Sequence, residues 1–182
     1  IARQLKEKYS VVIFSPNEEK LKAVVKELKV DYLVGDVSNY TDCQRIVDDV
    51  MKKYGRIDCV INNAALWIQE ELDENDPEYI KRVIEVNVLG PVNLTKAVVP
   101  IMKKQKSGTI ININSQAGLY AKAERSVYNL TKWGLTGFSK SLQAEMAKYG
   151  IRVTDVHPGK MKNDMFIKMG IDKPLDDAMD PK

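Results

Sequence analysis

Short apolar runs alternate along this chain with longer stretches in which apolar positions recur at helical spacing. The runs at residues 11–14, 30–34, 57–61, 109–113 and 151–156 read as buried strands, rich in Val and Ile and ending at turn or hydroxyl residues. Between them, residues 18–28 set Leu21, Val24, Val25 and Leu28 on one helical face. Ser38 is a fit N-cap for a helix through Ile46, Val47 and Val50 to Gly55, a residue suited to the left-handed C-terminal position. Asp76 caps the next helix, and Pro77 occupies its first position, where a missing N–H costs nothing. That helix continues to Lys104 with a bend expected at Gly90-Pro91, and a last long helix spans residues 126–148. Residues 1–8 carry the features of a helix already under way, 66–75 are too irregular for regular structure, and 160–182 show no strong period. Strands alternating with amphipathic helices predict an α/β protein, with a doubly wound parallel sheet covered on both faces in a single domain over residues 1–182.

Composition narrows the partners. A chain of 182 residues with 44% hydrophobic content can bury one sizeable core. The formal charge is only +3, and acidic and basic residues interleave on helical faces, so nucleic acid is not an expected partner. Cys43 and Cys59 have neither metal-ligand spacing nor a disulfide framework, and read as small buried hydrophobes in a reducing compartment. No apolar run approaches the ~18 residues that span a bilayer, and no signal peptide precedes the first strand. A cytoplasmic protein without membrane contact is expected.

Candidate chemistry concentrates between Asn114 and Lys132. A buried strand ends at Ser115, and the helix after the following loop carries Tyr128 and Lys132. Four residues of helix rise only ~6 Å, so these two side chains share a face. A phenol with an ordinary pKa near ~10 is a poor acid at neutral pH, but an ammonium beside it stabilises the phenolate and lowers that value. Tyr128 can then exchange a proton with an alcohol or a carbonyl.

The Tyr-x-x-x-Lys spacing is weak by itself. Here it is accompanied, in order, by Asn62-Asn63-Ala64-Ala65 after a strand, Asn87 in a helix, and Pro158-Gly159 after a later strand. Together these resemble the short-chain dehydrogenase/reductase family in its shorter, single-domain branch. The resemblance implies a Rossmann-type fold and hydride transfer between NADP(H) or NAD(H) and a carbonyl or secondary alcohol. It implies Tyr128 as general acid/base, Ser115 as second donor to the substrate oxygen, Lys132 tuning the phenol and holding the nicotinamide ribose, and Asn87 supporting a water that links the lysine to solvent.

The same resemblance places cofactor contacts. Asp36 after Gly35 would accept from the adenine amine, with Val37 beside it; Asn62 would tie neighbouring strands while Ala64 lets the backbone pass the adenine ribose; Pro158 and Gly159 would lie along the nicotinamide. Ala65 stands where the family has glycine, and is strained if that position needs positive φ. Asn163 stands for the usual threonine, and His157 reads as a wall of the pocket. Ser15 ends the strand where a carboxylate would hold a free ribose 2′-OH and repel a 2′-phosphate, which tips the choice towards NADP(H) over NAD(H). The family opens with a strand and a glycine-rich phosphate turn. Neither precedes Ile1, and the final strand and helix are not found after residue 160, so a chain truncated at both ends is implied. The absent first strand would lie between those at Val11 and Ile57, leaving a gap in the sheet.

Leu66, Trp67, Ile68, Leu119, Tyr120 and residues 161–169 are candidates for an apolar substrate pocket, or for a lid packed on the core. The small-molecule carbonyl or alcohol is unspecified: 3-oxoacyl thioesters, sugars, steroids and small alcohols share these motifs. The family also implies a homodimer or homotetramer through the helix bearing the active-site pair, where Trp133, Leu135, Phe138 and Leu142 supply either that surface or internal core. A catalytically silent nucleotide-binding regulator or scaffold is the alternative.

Overall fold

A computed structural model describes residues 1–161 and Met179. Two short runs of β-formers, β1 (Val12–Ser15) and β2 (Asp31–Val34), pair in parallel, Val12 opposite Asp31 and Ser15 opposite Val34. A second parallel sheet runs in the order β3 (Cys59–Asn62), β4 (Gly108–Ile113), β5 (Ile151–Val156). Its register sets Asn62 opposite Asn112 and Ile113 opposite Val156. Among the described residues the two sheets exchange no ladder hydrogen bonds.

The helices follow the periodic segments. α1 (Ala2–Leu5) is a single turn, and α2 (Glu18–Leu28) begins where Asn17 Oδ1 accepts from the Lys20 N–H at 2.9 Å. α3 (Tyr40–Tyr54) ends at Gly55, with φ 72° as expected. Its cap differs from the sequence reading: Asn39, not Ser38, accepts from the N–H groups of Thr41 (2.9 Å) and Asp42 (3.3 Å). Ser38 is drawn one turn back, giving its N–H (2.9 Å) and hydroxyl (2.8 Å) to Asp36 Oδ1.

The long helix expected from Pro77 is interrupted. α4 (Pro77–Ile84) passes through a π-helical stretch, Glu85–Leu89, into α5 (Gly90–Gln105). The Gly90 N–H reaches the Glu85 carbonyl, one residue further back than in an α-helix. Pro91 has no N–H, so the carbonyl of Asn87 lacks its α-helical donor. The bend predicted at Gly90-Pro91 is thus a widened turn centred on Asn87.

α6 (Ser126–Ala147) packs on β5. Thr95 of α5 and Ser139 of α6 bond to Asn62 and Asn112, which are register partners, so both helices cover the same face of this sheet. The core lies beneath them, built from Cys43, Val47, Val60, Leu94, Val98, Met102, Ile110, Leu142 and Val153 among others. On the opposite face of β5, Arg152, Thr154 and Val156 are exposed among the described residues. None of the described helices is long and apolar enough to cross a membrane.

Candidate active site

Parallel register gathers strand C-termini at one edge of each sheet, the edge at which open parallel sheets bind ligands. Ser15 ends β1, Asp36 and Val37 follow β2, Asn62 ends β3 with Ala64 just beyond, Ser115 follows β4, and Pro158-Gly159 follow β5.

Beyond β4, Ser115 opens a 3-10 turn, Gln116–Gly118, and its Oγ accepts from the Ala117 N–H at 3.1 Å. The turn lies against α6. A Cβ on Gly118 would stand 2.8 Å from Thr136 Oγ1 and 2.9 Å from the Lys132 carbonyl oxygen, so glycine is what permits this approach. The Gln116 N–H donates to the Pro158 carbonyl (3.0 Å), which joins the β4 and β5 loops.

α6 presents Tyr128 and Lys132 one turn apart, with Lys132 Nζ 5.7 Å from the phenol ring centroid. Both are buried, 4% and 2% exposed. Trp67 packs on the Tyr128 ring, centroids 4.4 Å apart, and the Arg125 guanidinium lies 4.8 Å over Trp67. Burial pushes the Tyr128 phenol above its ordinary pKa, and a hydrogen bond with the Ser115 side chain and the charge of Arg125 pull it back. The sequence reading expected Lys132 to lower this value. Instead desolvation dominates, and it acts on Lys132 as well: burial drops the ammonium to about 8, opposed by the Asp155 carboxylate. Lys132 Nζ donates to the Ile113 carbonyl at 3.2 Å.

Asn87, 1% exposed, spends its amide on the loop after β3. Its Oδ1 accepts from the Leu66 N–H (2.7 Å), and its Nδ2 donates to the Leu66 carbonyl (2.8 Å) and to Thr131 Oγ1 of α6 (3.3 Å). Asn62 is likewise a tie: Nδ2 donates to Asn112 Oδ1 at 2.7 Å and to Thr95 Oγ1 at 3.2 Å, and Asn112 donates on to Ser139 Oγ at 2.8 Å. A buried polar chain therefore crosses two strands between two helices.

The structure draws Asn87, Ser115, Tyr128, Lys132, Pro158 and Gly159 into one contiguous group. It does not draw Ser15, Asp36 or Val37 into hydrogen bonds with that group among the described residues. Ser15 Oγ accepts from the Asn17 N–H (3.2 Å). The Asp36 carboxylate, expected to face a nucleotide, is engaged by Ser38 and by an ion pair with Arg82 of α4, which hold its pKa down against burial. Val37 packs against Gly90, where a Cβ would come within 2.8 Å of Val37 Cγ2. Ala64 is exposed in the loop after β3. Ala65 carries no strain, because the non-glycine positive-φ positions among the described residues are Lys29, Lys106 and Glu124. Of the pocket candidates, Trp67 and Ile68 are buried against Tyr128 and α4, whereas Leu119 (44%) and Tyr120 (68%) are exposed. Asn163 and residues 162–169 lie outside the described residues.

The family model for short chain dehydrogenases matches residues 1–173. The chain belongs to the short-chain dehydrogenase family. An uncharacterized oxidoreductase of Thermotoga maritima is 36% identical over 159 residues, covering 85% of this chain and 62% of that protein. The 3-oxoacyl-(acyl-carrier-protein) reductase FabG of the same organism is 35% identical over 165 residues, 88% of this chain and 67% of its own length. This short-chain dehydrogenase thus spans about two thirds of the length of these curated relatives. Among solved structures, a gluconate 5-dehydrogenase of Burkholderia cenocepacia in complex with NADP and tartrate superposes with a TM-score of 0.87 at 28% identity, covering 96% of this chain and 70% of that one. ElxO with NADP bound gives 0.84 at 29% identity, with coverage of 92% and 71%.

Several groups at the site of this short-chain dehydrogenase had escaped sequence reasoning. Asn114 Nδ2 donates to Thr136 Oγ1 (2.9 Å), Asp155 Oδ2 (3.0 Å) and the Lys132 carbonyl (3.2 Å). A signal existed: Asn112 and Asn114 are polar at alternate positions following the apolar face of Ile110, and buried polar side chains must find partners. Arg125 had no such signal, since its place depends on the loop that folds Trp67 under it.

Proposed function

We propose that this chain is part of an NAD(P)-dependent oxidoreductase that interconverts a carbonyl and a secondary alcohol, with Tyr128 as general acid/base. One observation carries the reading: a buried phenol bonded to the Ser115 side chain, with the Lys132 ammonium one helical turn away. When bound, the nicotinamide supplies or accepts the hydride. The residues fit such a group, because Lys132 gives one hydrogen bond to Ile113 while an ammonium carries three donors, leaving capacity for ribose hydroxyls.

Tyr128 donates the proton to the substrate oxygen in reduction and takes it back in oxidation. Ser115 stabilises the negative charge that builds there. Lys132 holds ribose hydroxyls and relays protons to the phenol. Since the side chain of Asn87 is spent on Leu66 and Thr131, its carbonyl, left without an α-helical donor by Pro91, is the acceptor for a water serving Lys132. Asp36 and Val37 border the adenine, Asn62 and Ala64 the adenine ribose, and Pro158 and Gly159 the nicotinamide. Ser15 flanks the ribose 2′-position, which favours NADP(H) over NAD(H), in line with the NADP named in two structural neighbours.

The test is Tyr128→Phe in the full-length protein, assayed with NADPH and NADH over 3-oxoacyl thioesters, sugar acids, steroids and small ketones. The names of the relatives put the first two classes foremost. Carbonyl reduction is expected to vanish while cofactor affinity stays within a few-fold. Near-wild-type turnover would move the acid elsewhere, and a wild type inactive on every class would favour a silent nucleotide-binding scaffold. Ser15→Asp is expected to shift kcat/KM towards NADH, and an unchanged ratio would remove Ser15 from the ribose site. The protein is read as cytoplasmic and as a homodimer or homotetramer. Leu130 (62% exposed) and Trp133 (52%) support a partner on the outer face of α6, whereas Leu135 and Leu142 belong to the core.

A further inference from the structure

Six arginines occur in the chain, and five of them reach an acceptor: Arg3, Arg45, Arg56 and Arg82 pair with carboxylates, and Arg152 donates to Thr109 Oγ1 at 3.2 Å. Arg125 is the exception among the described residues. Its Nε is buried without a hydrogen-bond partner, and the side chain as a whole is only partly exposed. The acid next to it is engaged elsewhere: Glu124 Oε2 accepts from Gln69 Nε2 at 3.1 Å. Local structure does not account for Arg125 either. It is the N-cap of α6, a position that Ser, Thr, Asp or Asn would serve, and a guanidinium, having no acceptor, gives no side-chain cap there. A partly buried charge without a counter-charge burdens the fold until something pairs with it.

The place of this charge is beside the candidate chemistry. The guanidinium carbon lies 4.8 Å from the Trp67 ring centroid, and the same ring meets Tyr128 at 4.4 Å. The Arg125 charge is felt at the Tyr128 phenol. A guanidinium carries its N–H donors in a rigid planar fork, which matches the two oxygens of a planar oxyanion.

We propose that Arg125 reads a carboxylate on the substrate, so that the carbonyl or alcohol turned over at Tyr128 belongs to an oxo acid or a hydroxy acid. Charge selects the carboxylate. Among the described residues the other cation at Tyr128 is Lys132, which the oxidoreductase reading commits to the cofactor ribose, so one positive charge remains for the substrate. A carboxylate balances it, whereas a phosphate dianion would exceed it. Turnover of such an acid rests on the oxidoreductase reading; the anion site rests on Arg125 and Trp67.

The test uses the full-length protein with NADPH or NADH, and compares kcat/KM for acetoacetate and levulinate with that for their methyl esters. In Arg125→Met, which keeps a long side chain over Trp67 and removes the charge, the acid-to-ester ratio is expected to fall by roughly ten- to a hundredfold, the worth of hydrogen bonds to a charged group. Arg125→Lys keeps the charge without the fork, and its ratio is expected to lie between those of wild type and Arg125→Met. Acid and ester that decline by the same factor in Arg125→Met would reduce Arg125 to packing on Trp67 and overturn the proposal. Dihydroxyacetone phosphate and dihydroxyacetone form the second pair, and a larger dependence on Arg125 there than for the carboxylate pairs would overturn the choice of anion. Calorimetric titration with levulinate in the presence of oxidised cofactor separates the two readings, since no hydride can then be transferred. Binding that is lost in Arg125→Met, in a protein that turns over none of these compounds, would sink the oxidoreductase reading and leave the anion site standing. Equal levulinate binding in wild type and Arg125→Met, or none in either, would sink the anion site whatever the activity.

Discussion

β4 and β1 are both short parallel strands of apolar residues, yet Ile110 and Asn112 of β4 are fully buried while every residue of β1 is only half-buried. Around β3, β4 and β5 the ties beyond the ladder include a set of interior ones: Asn62 to Asn112 to Ser139, Asn87 to Leu66, and Asn114 to Thr136 and Asp155. Around β1 and β2 they include surface ion pairs, Lys53 with Asp31, Arg3 with Glu27, and Lys22 with Glu18 at 2.8 Å. Buried polar groups must be satisfied or the fold suffers, whereas exposed pairs can part and find water. The side chains with candidate chemistry therefore sit where geometry is over-determined. The half expected to meet the adenosine end of a cofactor is held more loosely.

The sharpest break of this contrast should come from Lys132→Met, which is expected to cost both turnover and cofactor affinity in steady-state assays. It also has a pH signature. The folded value of Lys132 is about 8 against an ordinary 10.5, so between those values the unfolded chain binds a proton that the folded chain does not. Stability should accordingly rise with pH across that window, and urea melts of Lys132→Met should lack this part of the rise. A parallel pH dependence in the two proteins would show that Lys132 titrates normally.

Next in size is Asn112→Ala. It takes one of two acceptors from the Asn62 amide, which keeps Thr95, and the donor that Ser139 Oγ accepts from, all in a dry interior, and denaturant melts are expected to show a loss of about 1–3 kcal/mol. Gly118→Ala should cost about 1–3 kcal/mol by forcing the Ser115 turn off α6, and it should depress kcat as well. In the other half, Asn17→Ala removes only a helix cap, about 1 kcal/mol, and should leave kcat unchanged. The mildest expectation is native-state amide exchange faster in β1 and β2 than in β4. Equal protection across the two sheets would erase the distinction.

Much of this organisation was legible along the chain. Residues 18–28 and 151–156 form the expected helix and strand with the expected bounds, because a full apolar face or run, bounded by caps and turns, leaves one solution. Less legible were choices between near-equals: Ser38 and Asn39 are both good caps, and the Asp36 carboxylate decides between them from the preceding turn. The π-helical stretch was visible only as the suspicion attached to Gly90-Pro91. Proximity of Tyr128 and Lys132 follows from helix geometry, but the direction of the Tyr128 shift does not, since it depends on Trp67 arriving from a segment with no periodicity. Likewise Asp36 offered a motif, while its ion pair with Arg82 required the third dimension.

The buried chain from Thr95 through Asn62 and Asn112 to Ser139 has a consequence for how such a sequence can drift. Each member is a donor or acceptor that its neighbour relies on, so an apolar replacement at Asn62 or Asn112 burdens two others and one at Thr95 or Ser139 burdens one, while replacement of the whole set by apolar groups of like volume removes every orphan together. The four positions behave as one inherited character. A library that varies them singly should return almost nothing but losses, whereas one that varies them jointly should recover folded chains with a wholly apolar seam, reachable only by crossing a valley.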